Sequence, residues 1–424
     1  RGANLPPMSN RNHILCFLAA FCVVGCALIV GCGRVDRSNQ VVIWEQMDPR
    51  ERDLLEKHIA EFRVAHPEFD HIRISRTNYN TEDLRTQFQT AAMAMGGPNL
   101  VYGPSDQVGP FVIMDLILPL DELLRPEELA RFDPSGLPTL EGHVWGVPDQ
   151  VGNHLTLVAN LAHVDTIPDD AEVWFEQLKR LTVDNDGDGR PDVYGVVFDR
   201  VEPFFLVPWL GGYGGWVMDD EANPTLDTEA MAGALSFLKR LKDEGLMPRE
   251  CDYQLADTLF KEGRAAYIVN GPWSWDGYRA GGVDIALAPL PMIPSTGLWP
   301  SPMTAAKCYS VNRYTNPASM DATLALLRWL VSPAVQADLA RELAVLPGDL
   351  AVRADPTLVA DPLLAASRRQ IDKGRLMPIV AEMRAIWDAM RPAYQSCLSG
   401  DLTPEEAARN MQERALRLIA DMRE

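Results

Sequence analysis

Basic residues are scarce in this chain. Among 424 residues, 39 lysines and arginines stand against 59 aspartates and glutamates, a formal net charge of -20. Holding nucleic acid or another polyanion needs a basic surface to neutralise phosphates, so such partners are excluded. There are only seven histidines, none at His-x-x-x-His or Glu-flanked metal spacing. No Gly-x-Ser-x-Gly elbow and no glycine-rich phosphate loop occurs, which removes the commonest hydrolase and nucleotide-binding signatures. Apart from one stretch near the N-terminus, no apolar run is long enough to span a bilayer. Internal repeats and low-complexity linkers are also missing. What remains is an ordinary globular balance, 47% apolar and 23% charged. The length is about three times that of a usual domain and predicts two cores.

The exceptional stretch runs from Ile14 to Val30, follows Arg11 and ends at Gly31-Cys32-Gly33-Arg34. A basic start, an apolar middle and small residues before a cut are the plan of a secretory signal. Residues 8–31 are therefore expected to be a signal peptide starting at Met8. Ile29-Val30-Gly31-Cys32 looks like a lipobox, with Cys32 carrying lipid; a retained membrane anchor is the alternative, and either tethers the chain outside the cytoplasm. Of seven cysteines, Cys16, Cys22 and Cys26 fall in the signal. Cys251, Cys308 and Cys397 remain, an odd number far apart, so buried thiols are expected, with one bridge left open.

The rest alternates strands and helices. Val41–Trp44, His71–Ile74 and Leu100–Tyr102 read as short strands. Between them, Asp48-Pro49 opens a helix carrying Leu54, Leu55, Ile59 and Phe62, and Leu84, Phe88, Ala91 and Met95 mark another. This β-α-β-α-β order predicts an α/β fold with a mostly parallel sheet, and ligands beyond the carboxyl ends of its strands. Further helices are expected at about 170–181, 228–243, 317–331, 333–344 and 403–424.

The segment LFKEGRAAYIVNGPWSW, 259–275, resembles the part of ABC-importer sugar-binding proteins of the maltose and trehalose type that ends in Asn-Gly-Pro-Trp-x-Trp. Segments 102–124, 145–160 and 202–215, and MPIVAEMRAIWDAM at 377–390, resemble that family in the same order. The resemblance implies a two-lobe periplasmic-binding fold of type II with a hinge and a cleft. Lobe one would hold 41–151 and 287–357, and lobe two 154–284 and 361–424. It further implies capture of a sugar and its delivery, by hinge closure, to ABC permease subunits in the membrane. The chain would work as an extracytoplasmic monomer, without catalysis and without a required cofactor.

A sugar offers hydroxyls and two C–H faces, so its site needs aromatic rings among carboxylates and amides. By the resemblance, Phe204, Trp273 and Trp387 are stacking platforms, Asp106 and Glu202 are acceptors, and Glu45 and Gln46 lie on the contacting loop after the first strand. Asn153 falls near an acid that relatives carry, and Trp299 is a candidate substitute ring. Packing is the alternative for any of these tryptophans, and helix capping for Asp106. Trp44, Trp174, Trp209, Trp275 and Trp329 are expected to be structural. Asp184, Asp186, Asp188 and Asp192 stand at calcium-loop positions 1, 3, 5 and 9, but position 12 is Gly195, so a structural calcium competes with a rigid acid-rich turn. The competing functions are a same-fold binder of a polyol or glycerophosphodiester, and a secreted carbohydrate enzyme using Asp106 and Glu202.

Overall fold

The computed structural model describes residues 38–423. Cys32 and the signal segment lie outside the described residues. No helix among the described residues is long and apolar enough to cross a membrane.

The first sheet is built as its alternation of strands and helices dictates. Strand β1 (Gln40–Glu45) leads through Asp48 into α1 (Pro49–Ala65), then β2 (Arg73–Asn78), α2 (Thr81–Met93) and β3 (Leu100–Pro104). Proline at the first helical position starts α1, and the Asn80 side chain caps α2 by accepting the Asp83 N–H. β1 lies between β2 and β3 and is parallel to both. Strand β2 begins at Arg73, two residues later than the alternation at 71–74 suggests, and runs on as a polar edge strand. Two further strands complete the core of this sheet: β4 (Val147–Asn153) and β9 (Met303–Val311), with β9 antiparallel to both β3 and β4.

The second sheet has four strands in the order β8 (Ile285–Ala288), β5 (Thr156–Asn160), β7 (Ala265–Asn270) and β6 (Tyr194–Val197). Around it pack α3 (Ala171–Leu181), α4 (Glu229–Asp243), α5 (Tyr253–Lys261), α6 (Pro272–Ala280), α10 (Glu382–Ser399) and α11 (Pro404–Arg423). Trp174 and Trp209 stack in this core with ring centroids 6.0 Å apart, and Trp275 is fully buried. Helices α7 (Pro317–Leu330) and α8 (Pro333–Leu343) return to the first lobe; Leu326 and Leu327 of α7 join the core formed by β1 and β3.

The chain crosses between sheets at the β4–β5 connection, returns between β8 and β9, and crosses again before α9 (Pro362–Ile371). β8 pairs with β5 through Ala288, and the segment beyond it buries Leu290 and Ile293 in the second core. The return to lobe one thus falls near Met303, later than the residue 287 expected from sequence, because this Pro-rich segment has apolar anchors in lobe two. At the first crossing His154 is fully buried. Its Nδ1 is hydrogen-bonded to the Gly152 carbonyl, its Nε2 lies 3.5 Å from Ser367 Oγ on α9, and its ring meets Trp275 edge-on.

Candidate functional site

In both lobes the loops at the carboxyl ends of the strands face one cleft, as open α/β sheets require. From lobe one come Gln46–Asp48 after β1, Asn78–Glu82 at and beyond the end of β2, and Pro104 and Asp106 at and beyond the end of β3. From lobe two come Asp199, Glu202, Phe204 and Phe205 after β6, Tyr253 and Gln254 on α5, Trp273 after β7, and Trp387 and Arg391 on α10. Asn153, at the hinge end of β4, lies between them. The cleft encloses about 650 Å³, within the range that receives a ligand of a few hundred daltons.

The aromatic surfaces are held in fixed orientations. Trp273 Nε1 donates to Tyr253 Oη at 2.9 Å, which fixes the indole plane. Trp387 meets Phe204 at 6.4 Å between ring centroids, tilted by 67°. Its Nε1 also donates across the cleft to Asp106 Oδ2 at 3.3 Å. Trp387 is only 7% exposed and belongs to the core of lobe two, so it is both a packing residue and a cleft residue.

Acceptors surround these rings. Asp106 lies in a short turn, and the helix that follows has no side-chain cap. Its Oδ1 is buried without a partner, as is Asn153 Oδ1, so both oxygens are free for donors from a guest. Burial, followed by repulsion from Glu82, pushes the Asp106 carboxyl up to about 6. Burial does the same to Asp48, with Glu51 adding, and to Asp199. Glu202 is held by Arg391 in a two-pronged bond, Nη2 to Oε2 at 2.9 Å and Nε to Oε1 at 3.1 Å. Lys307 is paired with Glu51 at 2.8 Å. Both cations in the cleft wall are therefore already matched to acids.

Of the residues singled out from sequence, Gln46, Asp106, Asn153, Glu202, Phe204, Trp273 and Trp387 meet in this cleft. Glu45 and Trp299 do not. Glu45 ends β1 with its side chain turned inward, where it accepts from Met47 N–H at 2.7 Å, Asn78 Nδ2 at 2.9 Å and Arg76 Nη1 at 3.1 Å. It is fully buried and braces the loop that reaches the cleft. Trp299 is half-buried elsewhere, covered by the Lys373 ammonium 4.2 Å from its ring. Sequence reasoning passed over Tyr79, Tyr253, Lys307 and Arg391. Two carried a signal: a lysine inside the apolar strand MTAAKCYSV needs a buried partner, and Arg391 lies one turn beyond Trp387 on the same helix.

Asp184, Asp186 and Asp188 bring carboxylate oxygens within 4.8 Å of one another on an exposed loop. Asp192 stands outside this trio and accepts the Asn185 N–H at 2.7 Å. Asp184 already accepts Gly187 N–H and Gly189 N–H, at 2.8 and 2.9 Å, as an acid-rich turn does. Gly195, at the twelfth loop position, lies on β6 and has no side chain to complete a calcium shell.

Two α/β lobes joined by three crossings of the chain, with rings and acids from both facing one cleft, define a binding protein that encloses its guest between lobes. The chain belongs to the bacterial extracellular solute-binding protein family, whose model matches residues 57–366. It is 27% identical to the maltotriose-binding protein of Pyrococcus abyssi over 85% of this chain and 78% of that one. It is 22% identical to the galactooligosaccharide-binding protein of Bacillus subtilis over 94% of this chain and 96% of that one. Among solved structures, the maltose/maltodextrin-binding domain MalE from Bdellovibrio bacteriovorus bound to maltotriose is 39% identical, with a TM-score of 0.87 over 90% of this chain and 100% of that one.

Proposed function

We propose that this protein captures a short neutral oligosaccharide of the maltotriose class outside the cytoplasm and presents it to the permease of an ABC importer. The observation that carries this reading is the meeting of Phe204, Trp273 and Trp387 with the unpartnered acceptors of Asp106 and Asn153 across a single cleft. Rings cover C–H faces and the acceptors take hydroxyl protons. A glycerophosphodiester fits poorly, because Lys307 and Arg391 are already paired with acids and the nearby Asp48, Asp106 and Asp199 would repel a phosphate. The guest leaves unreacted. By contacting both lobes it stabilises the closed form over the open one, and the closed form docks on the permease. The protein acts as a monomer tethered through lipidated Cys32, and sugar capture needs no cofactor.

A thermal-shift screen tests the reading. A ligand that binds only the folded chain raises its melting temperature in proportion to RT ln(1 + [L]/Kd). Maltotriose and its neighbours in chain length should raise it, and glycerophosphodiesters and polyols should not. A rise with glycerol-phosphate compounds alone, or release of free glucose during the assay, would overturn it.

A further inference from the structure

One face of α10 carries Arg384, Trp387, Asp388 and Arg391, spaced three, four and seven residues on from Arg384, so that they form a single stripe. The lobe-one loops opposite present Glu82 and Asp106. Glu82, in the first turn of α2, accepts two bonds from Arg384 Nη1, at 2.9 and 2.7 Å, and lies 3.5 Å from Arg391 Nη2. Asp106 takes the indole N–H of Trp387, between those two arginines on the helix. On their own lobe the arginines have further acids: Arg384 is bonded to Asp388, and Arg391 to Glu202. The arginines are about one-fifth exposed, so these charges are only partly screened by solvent. A second contact brings the lobes together nearby: the backbone of Ile379–Ala381, just before α10, lies against Gly109 of lobe one with no room for even a methyl group.

We infer that Glu82 is the latch of closure: it draws the Arg384–Arg391 stripe of α10 onto lobe one and thereby sets Trp387 and Glu202 in their places on the guest. Glu82 acts through the two arginines and is a positioning residue. Without it the stripe faces lobe one through a single weak indole bond, so the lobes part more readily. The inference rests on the sugar-capture reading, because the closure it describes is the one that encloses the guest.

The test compares the wild-type protein, Glu82→Gln, Arg384→Met and the double variant. Maltotriose affinity is measured by calorimetry at 50 and 500 mM NaCl, and the interlobe distance by a pair of spin labels, one on each lobe. Each single variant should bind five- to twentyfold more weakly, the double variant no more weakly than the worse single, and both singles should show a longer interlobe distance without sugar. Wild-type affinity should fall with salt, and that of Glu82→Gln should barely move. Melting curves of the two singles, at two different sites, exclude loss of fold as the cause. Unchanged affinity and distance in Glu82→Gln, or additive losses in the double variant, would overturn the latch. Wild-type protein that binds no sugar at all would instead overturn the reading on which it rests.

Discussion

Replacing Gly109 by alanine places a methyl group where lobe one touches the segment leading into α10. The new Cβ would stand 2.0 Å from the Ile379 carbonyl oxygen and 3.0 Å from both Ala381 N and Val380 C, all of them backbone atoms. Ordinary contact begins at about 3.5 Å, so the two surfaces must separate by about 1.5 Å. Rotation about the hinge is the easiest route, because neither core has to reopen. The same displacement carries the Arg384–Glu82 bonds at 2.7 and 2.9 Å and the Trp387–Asp106 bond at 3.3 Å beyond hydrogen-bonding reach. Losing two or three closed-form contacts corresponds to about 1.5–3 kcal/mol, or ten- to a hundredfold in Kd. Calorimetry with maltotriose would show the loss, and the melting temperature of the sugar-free protein should fall by only a few degrees. Wild-type affinity in Gly109→Ala would refute the reasoning. So would a melting-temperature collapse as large as that of a core truncation, which would mean that the contact belongs to the fold and not to closure.

Other outcomes are expected from the same geometry. Trp387→Ala should weaken sugar binding and also lower stability by about 3 kcal/mol or more, since the ring is core as well as cleft. Trp387→Phe separates the two roles, and should cost binding several-fold with a smaller change in unfolding midpoint; equal losses in both assays would contradict this. His154 is held neutral by burial, its pKa lowered from 6.5 to about 4. A depressed folded pKa means that stability is present above pH 6.5 and is lost as pH falls towards 4, because the unfolded chain takes up a proton that the folded chain refuses. Asp48, Asp106, Asp149 and Asp199, pushed up by burial, act in the opposite sense over the same range. The measurable quantity is therefore the midpoint difference between wild type and His154→Gln in chemical denaturation, which should shrink from pH 7 to pH 4.5; a constant difference would exclude this role. Chelating calcium should leave maltotriose affinity unchanged, because the Asp184–Asp188 trio is absent from the cleft wall; a loss of affinity in EGTA would show the opposite.

Much of the fold was legible because periodicity survives tertiary packing. Strand Val41–Trp44 and the helices near 170–181, 228–243, 317–331 and 333–344 each bury the stripe that their spacing predicts, and the observed helices match within a residue or so. Strand β2 was harder, since Arg73–Asn78 lies at a sheet edge and has no buried alternation to read. Strand order points to the loops after the first and third strands, whereas Glu202, Phe204, Trp273 and Trp387 are legible only through the family resemblance of their segments. Glu45 was misplaced because a strand's last residue can point either way, and three inward donors decide it. Trp299 was misplaced because nothing local shows that Lys373, 74 residues later, will cover its ring. Glu82 could not be read at all, since the arginines it meets are some 300 residues away.

The three thiols bear on how such a chain is made and handled. Cys251, Cys308 and Cys397 are free and buried, and burial pushes each thiol up, Cys251 to about 12 and Cys397 to about 11. Exchange proceeds through the thiolate, so these three thiols are inert in the folded protein even under oxidising conditions. The unfinished chain enjoys no such protection. Among the described residues, unfolding exposes three sulfhydryls, an odd number, so one of this set is left without a mate within it. Folding outside the cytoplasm is thus a race against oxidation, and refolding from denaturant should yield disulfide-linked dimers unless a reductant is present.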